Sequence, residues 1–329
     1  MGLLSFTILL GISLGETVIP FKIVLKTLSN HLFYYDYKVD VLDAGIIWNY
    51  RLTRSIVSAC CGACLAVSGV VLQALLRNAL AEPYLLGISA GASAGAVIVA
   101  LTGLGGGLIS MSFGAFIGAI IAFVFVIIIA IAAGGSRSSI TTQIILAGIA
   151  GSQLFNALTS LIIAKSANAE QARGIMFWLL GNLSGVRWPD VWLAVPVAIS
   201  GILICLYFYR ALDAFSFGAD SAASLGIAVR RTQTILVMIT TGITAVMVSI
   251  VGAIGFVGLV IPHAVRMLVG TQHKYLLPVS ALAGAIFLII ADIISRTIIS
   301  GQTLPIGVVT ALVGAPAFSL ILIRSRKSG

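Results

Sequence analysis

Gly252-Ala253-Ile254-Gly255-Phe256-Val257-Gly258-Leu259-Val260-Ile261-Pro262-His263-Ala264-Val265-Arg266 is an apolar run spaced by glycine that stops at Pro-His and a basic residue. Glycine and alanine let neighbouring backbones approach closely in lipid, so the run predicts a membrane helix packed against others. Pro262 is expected to disturb that helix where His263 and Arg266 meet the interface. The alternative is an ordinary transmembrane turn.

The surrounding chain has 329 residues, 60% hydrophobic and 9% charged, against about 25% charged in a soluble domain. Apolar stretches able to cross roughly 30 Å of hydrocarbon lie at 3–19, 56–76, 86–101, 113–133 and 144–163, then at 191–209, 235–251, 254–269, 279–294 and 306–323. The expected fold class is all-α: a polytopic integral membrane protein with about ten transmembrane helices, in a single transmembrane domain over 1–329, with both termini on one side.

A net charge of +9 would suggest nucleic acid as a partner of a soluble protein. Here the basic residues sit in short loops and at helix ends, so nucleic acid is discarded and the lipid bilayer is the surrounding partner. Arg324, Arg326 and Lys327 in the tail, with the loop 210–231, place that side in the cytoplasm by the positive-inside rule. Asp36, Asp40, Asp43 and Glu170 then fall outside. The stretch 3–19 lacks a basic leader and a cleavage site, and reads as a first span with a trimmed start. Cys60, Cys61 and Cys64 in the second span and Cys205 in the sixth have no second pair and no nearby histidine; they read as packing, with no metal site.

No Gly-x-x-x-x-Gly-Lys-Ser/Thr phosphate loop occurs, so any ATP hydrolysis must come from a partner. Between spans five and six, the apolar piece 175–183 is too short to cross and predicts an interfacial or re-entrant helix on the outer side. In the cytoplasmic loop, Asp220 and Ser221 are good caps, alanines follow, and Gly226 can end a helix. A short helix offered as a docking knob is one reading of it; a loop with an incidental helical turn is the other.

Ionisable groups within the membrane are the usual signature of ion-coupled carriers, and this chain has almost none. Asp292 stands four residues before Arg296, which predicts a local ion pair near the outer interface. The fifth span carries neutral polar groups at helical spacing instead: Gly148, Ser152, Asn156, Thr159 and Ser160, preceded by Thr141 and Thr142. Such a face can line a wet path or serve hydrogen bonding between helices. A path of hydroxyls and amides without charge would hold a large polar solute weakly and release it. Arg51 and Arg54 open the second span from outside on one helix side, suited to carboxylates or to lipid phosphate. His31, His263 and His273 are separated, which speaks against a membrane enzyme.

Several stretches resemble one family, the bacterial iron-chelate and cobalamin ABC importer permeases of the FecCD type. They are Arg51-Leu52-Thr53-Arg54; the run 68–83, which includes Gln73, Arg77-Asn78 and Glu82-Pro83; 86–92; Leu146-Ala147-Gly148; the 252–266 run; Leu276-Leu277-Pro278; Ala291-Asp292; and 304–316. The resemblance implies a type II importer: ten helices per subunit and two permeases, a homodimer in the simplest case, around a central path. It further implies two cytoplasmic ATPase subunits that hold the ATP and Mg, and an external substrate-binding protein. This chain would itself bind no cofactor and would be no enzyme. It is expected in the bacterial inner membrane with both termini cytoplasmic.

The resemblance also assigns residues. Arg51, Arg54 and Arg296 match arginines that meet acidic knobs of the binding protein, on an arginine-lined outer mouth. Thr141 and Thr142 fall where the path narrows on the cytoplasmic side, and Gly148, Ser152, Asn156, Thr159 and Ser160 continue it. Leu212, Phe217, Gly218, Ala219, Asp220, Ala223, Leu225 and Gly226 match the ATPase-coupling helices, with Ala219 at a position where an acidic residue is common. The first span matches the family poorly. The cargo expected is an iron chelate, siderophore or haem, with cobalamin as the rival; an ion-coupled secondary transporter is the reading from another class, opposed by the shortage of buried charge.

Overall fold

The computed structural model describes residues 2–15, 17, 19–103, 110–133, 140–166, 168–299 and 301–325. Among them every regular element is helical: α1 (Gly2–Ser13), α2 (Phe21–Phe33), α3 (Val41–Gly45), α4 (Thr53–Leu75), α5 (Ile88–Thr102), α6 (Met111–Ala132), α7 (Ile140–Ser166), α8 (Ala169–Leu179), α9 (Trp188–Tyr207), α10 (Tyr209–Ser216), α11 (Ala219–Ser224), α12 (Val229–Val251), α13 (Val257–Val269), α14 (His273–Thr297) and α15 (Ile306–Ser325). A π-helical stretch, Ile46–Leu52, joins α3 to α4, and a 3-10 turn, Pro83–Leu86, leads into α5.

Six helices are long and apolar enough to cross a bilayer by length and composition: the continuous rod Val41–Leu75, α6, α7, α9, α12 and α14. Shorter apolar helices, α1, α5, α13 and α15, occupy the other four predicted positions. α2 lies outside every predicted span. Its lysines interrupt the apolar count, while Val24 and Thr27 are buried on the face turned inward.

Side-chain size sets which face of each helix turns inward. Along α6, Phe113, Ile117, Ile121, Val124 and Ile128 are exposed while Ala115, Ala119 and Ala122 are buried. Lipid is as apolar as any core, so helices associate where small residues permit close van der Waals contact and send large ones outward. α4 is the axis of the bundle, packed by α9, α12, α13 and α14. Gly62 of α4 meets Gly284 of α14, and a Cβ on either would collide with the other's carbonyl; Gly69 meets the Gly258 carbonyl of α13 in the same way.

The chain between α12 and α13 leaves helical geometry, with Gly252 at φ 76° and Phe256 at φ 69°. Free backbone groups inside a membrane protein need partners, and they have them. Asn182 N–H donates to the Val251 carbonyl at 2.8 Å. The Tyr84 hydroxyl accepts from Ile254 N–H at 3.0 Å and donates to the Ile254 carbonyl at 3.1 Å. The 252–266 run is therefore broken at its glycine end, which corrects the expectation of a disturbance at Pro262. α13 continues through Pro262. Proline has no N–H for the carbonyl four residues back, and Gln73 of α4 supplies the missing donor: its Nε2 reaches the Gly258 carbonyl at 3.4 Å. Its Oε1 accepts from Arg266 at 3.0 Å.

α8 begins six residues before the predicted piece 175–183, on an Asn168–Gln171 capping box, and ends at Leu179. Ile175 and Leu183 are buried. The Gly181 and Leu180 carbonyls then accept from Ile306 and Gly307 at the start of α15, at 2.9 and 3.0 Å. The piece thus ends on the start of α15.

Candidate functional site

Pro83–Leu86 tucks against α7 because Gly148 has no side chain: a Cβ there would strike the Leu85 carbonyl. Between the turn and the helix lies a cavity of about 250 Å³ lined by Glu82, Tyr84, Leu85, Gly148, Ile149, Ser152, Gln153 and Asn156. Three of the predicted path positions, Gly148, Ser152 and Asn156, thus share one cavity. Thr159 is buried with its hydroxyl donating to the Phe155 carbonyl at 2.8 Å, and Ser160 is exposed with its hydroxyl on the Asn156 carbonyl at 3.0 Å. Thr141 and Thr142 fall in the first turn of α7, but their side chains lie outside the described residues. Glu82, Tyr84 and Gln153 were not among the expected path residues. The signal for the first two was the 3-10 turn opened by a proline at its first position, inside a motif already singled out. Burial raises the Glu82 carboxyl above the usual carboxylate range.

A second cavity, about 400 Å³, is lined by Gly15, Thr17, Ile46, Tyr50, Arg51, Arg54, Leu183, Ser184, Arg296 and Thr303. It gathers all three predicted arginines, two of them enclosed by the neighbouring helices. Arg51 is only 5% exposed and Arg296 only 4%. Arg51 donates to the carbonyls of Ile12 and Ser13 at 3.1 and 2.9 Å and to the Thr17 hydroxyl at 2.9 Å; Arg296 donates to the Gly11 carbonyl at 2.6 Å. Both guanidiniums therefore satisfy the last carbonyls of α1, which a helix end leaves without partners. Arg54 Nε meets Asp292 Oδ1 at 2.6 Å, and the predicted Asp292–Arg296 pair is present at 3.2 Å. Asp292, fully buried, thus bridges two guanidiniums and ties α4 to α14.

The expected coupling loop forms two helices rather than one. Leu212 is buried within α10, while Phe217 and Leu225 are exposed on either side of α11 at 76% and 72%. Gly218, at φ 111°, takes the N-cap position expected for Asp220, which instead lies in the first turn of α11; Gly226 at φ 81° follows the last turn. Ala219, Asp220 and Ala223 are exposed with them. Cys61, Cys64 and Cys205 lie in the apolar core, and no cluster of His, Cys, Asp and Glu able to hold a metal occurs among the described residues.

A bundle of apolar helices packed about α4, with a polar-faced span at its side and irregular backbone satisfied internally, is the architecture of a polytopic membrane permease. The pattern of the FecCD transport family matches residues 3–324, and the chain belongs to that family, an ABC importer permease. A relative from Halobacterium salinarum, the cobalamin import system permease protein BtuC, is 42% identical over 86% of this chain and 74% of its own length. The protein of Bacillus subtilis named probable siderophore transport system permease YfhA is 34% identical over all of this chain and 94% of its own. A solved structure described as a metal-chelate type ABC transporter, inward-facing, superposes with a TM-score of 0.81 at 29% identity, covering 98% of this chain and 96% of that one.

Proposed function

We propose that this subunit forms half of the translocation path of an importer for an iron chelate, a siderophore or haem, in the bacterial inner membrane with both termini cytoplasmic. The observation that carries the reading is the exposed polar arc of α7. Gln153, Asn156 and Ser160 stand exposed along one side of a membrane span, beside exposed Leu146, Leu154 and Leu161, while Ala147, Gly151 and Thr159 are buried on the side turned inward. Amides and hydroxyls are costly against hydrocarbon, so this arc faces a second permease, the simplest being another copy, across a wet path. Thr141, Thr142, Gly148, Ser152, Asn156, Thr159 and Ser160 then line or gate it.

Two ATPase subunits holding ATP and Mg dock on Phe217, Leu225 and the surface of α11. A binding protein delivers cargo at the arginine-lined cavity, with Arg54 at its rim and Arg51 and Arg296 holding the wall. Cobalamin is the second reading, favoured by the name of the Halobacterium relative. Deleting the chain from its source cell and following a 55Fe-labelled hydroxamate chelate, 55Fe-haem and 57Co-cobalamin decides between them. Loss of 55Fe uptake with cobalamin uptake intact is expected. The reverse pattern selects cobalamin, and unchanged uptake of every probe overturns both.

A further inference from the structure

We propose that Asp213 is a positioning residue that fastens the α10–α11 pair to the first turn of α14, so that displacement of α11 is delivered along α14 to the outer cavity. This rests on the coupling role assigned to α11 above.

The observation is a shared acceptor. Asp213 Oδ1 accepts from the backbone N–H of His273 at 2.9 Å and from its ring Nδ1–H at 2.7 Å. His273 is the first residue of α14, and Gln272 before it contributes no side-chain cap. The leading N–H groups of a helix have no partner within it, and a carboxylate there also meets the positive end of the helix dipole. A residue of a different helix thus supplies the cap, and the cap is the tie. Two donors from one buried residue fix direction as well as distance.

Packing makes the joint stiff on one side only. Leu212 and Phe215, flanking Asp213, are fully buried in the same core cluster as Leu276 and Leu277 of α14. α11, in contrast, buries only Ala222 and leaves Phe217 and Leu225 outside. From His273 to Asp292 the helix runs without a gap, through Pro278 in its second turn, about 28 Å at 1.5 Å per residue. That stretch reaches the carboxylate that holds Arg54 and Arg296. One continuous rod therefore runs from the joint beneath α11 to the wall of the outer cavity.

The test uses the assembled permease–ATPase complex in vesicles with its binding protein, and whichever of 55Fe-hydroxamate, 55Fe-haem or 57Co-cobalamin the wild type carries. Asp213→Ala is expected to keep the ATPase bound and hydrolysing while cargo moved per ATP falls roughly five- to tenfold. Asp213→Asn, which retains an acceptor oxygen, restores most of it. Wild-type cargo per ATP in Asp213→Ala overturns the proposal, as does loss of the ATPase from that variant or an Asp213→Asn no better than alanine. If Asp213→Ala does not reach the membrane, His273→Ala is read in the same assay against the same outcomes. Phe217→Glu separates this from the underlying reading: retention of the ATPase and of transport there removes α11 as the docking element, whatever Asp213 does.

Discussion

At the first turn of α4 and the last turns of α14, Arg54, Arg296 and Asp292 are enclosed, the carboxylate paired with both guanidiniums, whereas along α7 Ser152, Gln153 and Asn156 open onto a cavity. Both regions are polar patches on apolar helices. Charge inside a membrane bundle must be met by charge or by backbone carbonyls, so the arginines become part of the construction, joining α1, α4 and α14. Neutral amides and hydroxyls can be left facing water at far lower cost. The charged patch ties helices together, and the uncharged one is left open to a cavity.

The contrast can be broken most severely at Asp292. Asp292→Ala leaves two guanidiniums without their shared carboxylate and is expected to cost about 3–5 kcal/mol, read as loss of membrane-inserted protein and a lowered Tm in detergent; a variant of wild-type Tm would show that the cluster does not hold α4 to α14. Tyr84→Phe strips both partners from Ile254 and should cost about 1–3 kcal/mol in thermal unfolding, with uptake lowered because the same turn walls the α7 cavity.

Glu82 lies between the two extremes, a carboxyl on the wall of the α7 cavity. Its raised value means that the native state holds the proton more tightly than the unfolded chain. Native stability therefore falls as pH rises from the ordinary carboxylate range through the folded value. Glu82→Gln should remove that slope, so the variant gains on wild type as pH rises from 4 to 8; a constant difference in Tm across that range would contradict it. The smallest effect on stability belongs to Asn156→Ala, within about 0.5 kcal/mol. Uptake should still change at unaltered membrane level, and unchanged uptake would remove Asn156 from the path.

Much of the fold was readable in advance because lipid imposes a length and a composition on each crossing. Each of the ten predicted spans coincides with an apolar helix, and Asp292 and Arg296 pair as their spacing required. Three polar or small positions on α7 share a cavity for a similar reason, since helical spacing alone puts Gly148, Ser152 and Asn156 on one side. The start of α8 was misplaced because its first turn is polar and capped, with Glu170, and so escapes a search for apolar residues.

What composition and periodicity determined by themselves was an all-helical membrane protein, the position of its spans and the face of α7 that is polar, because those follow from local spacing and from the cost of polar groups in hydrocarbon. Tertiary structure alone decided that 252–256 unwinds while Pro262 stays helical, that Gln73 answers the carbonyl proline leaves bare, and that Arg51 and Arg296 cap α1. Each of those outcomes depends on a donor or acceptor far away in the chain, and local spacing carries no record of which distant group will arrive to fill it.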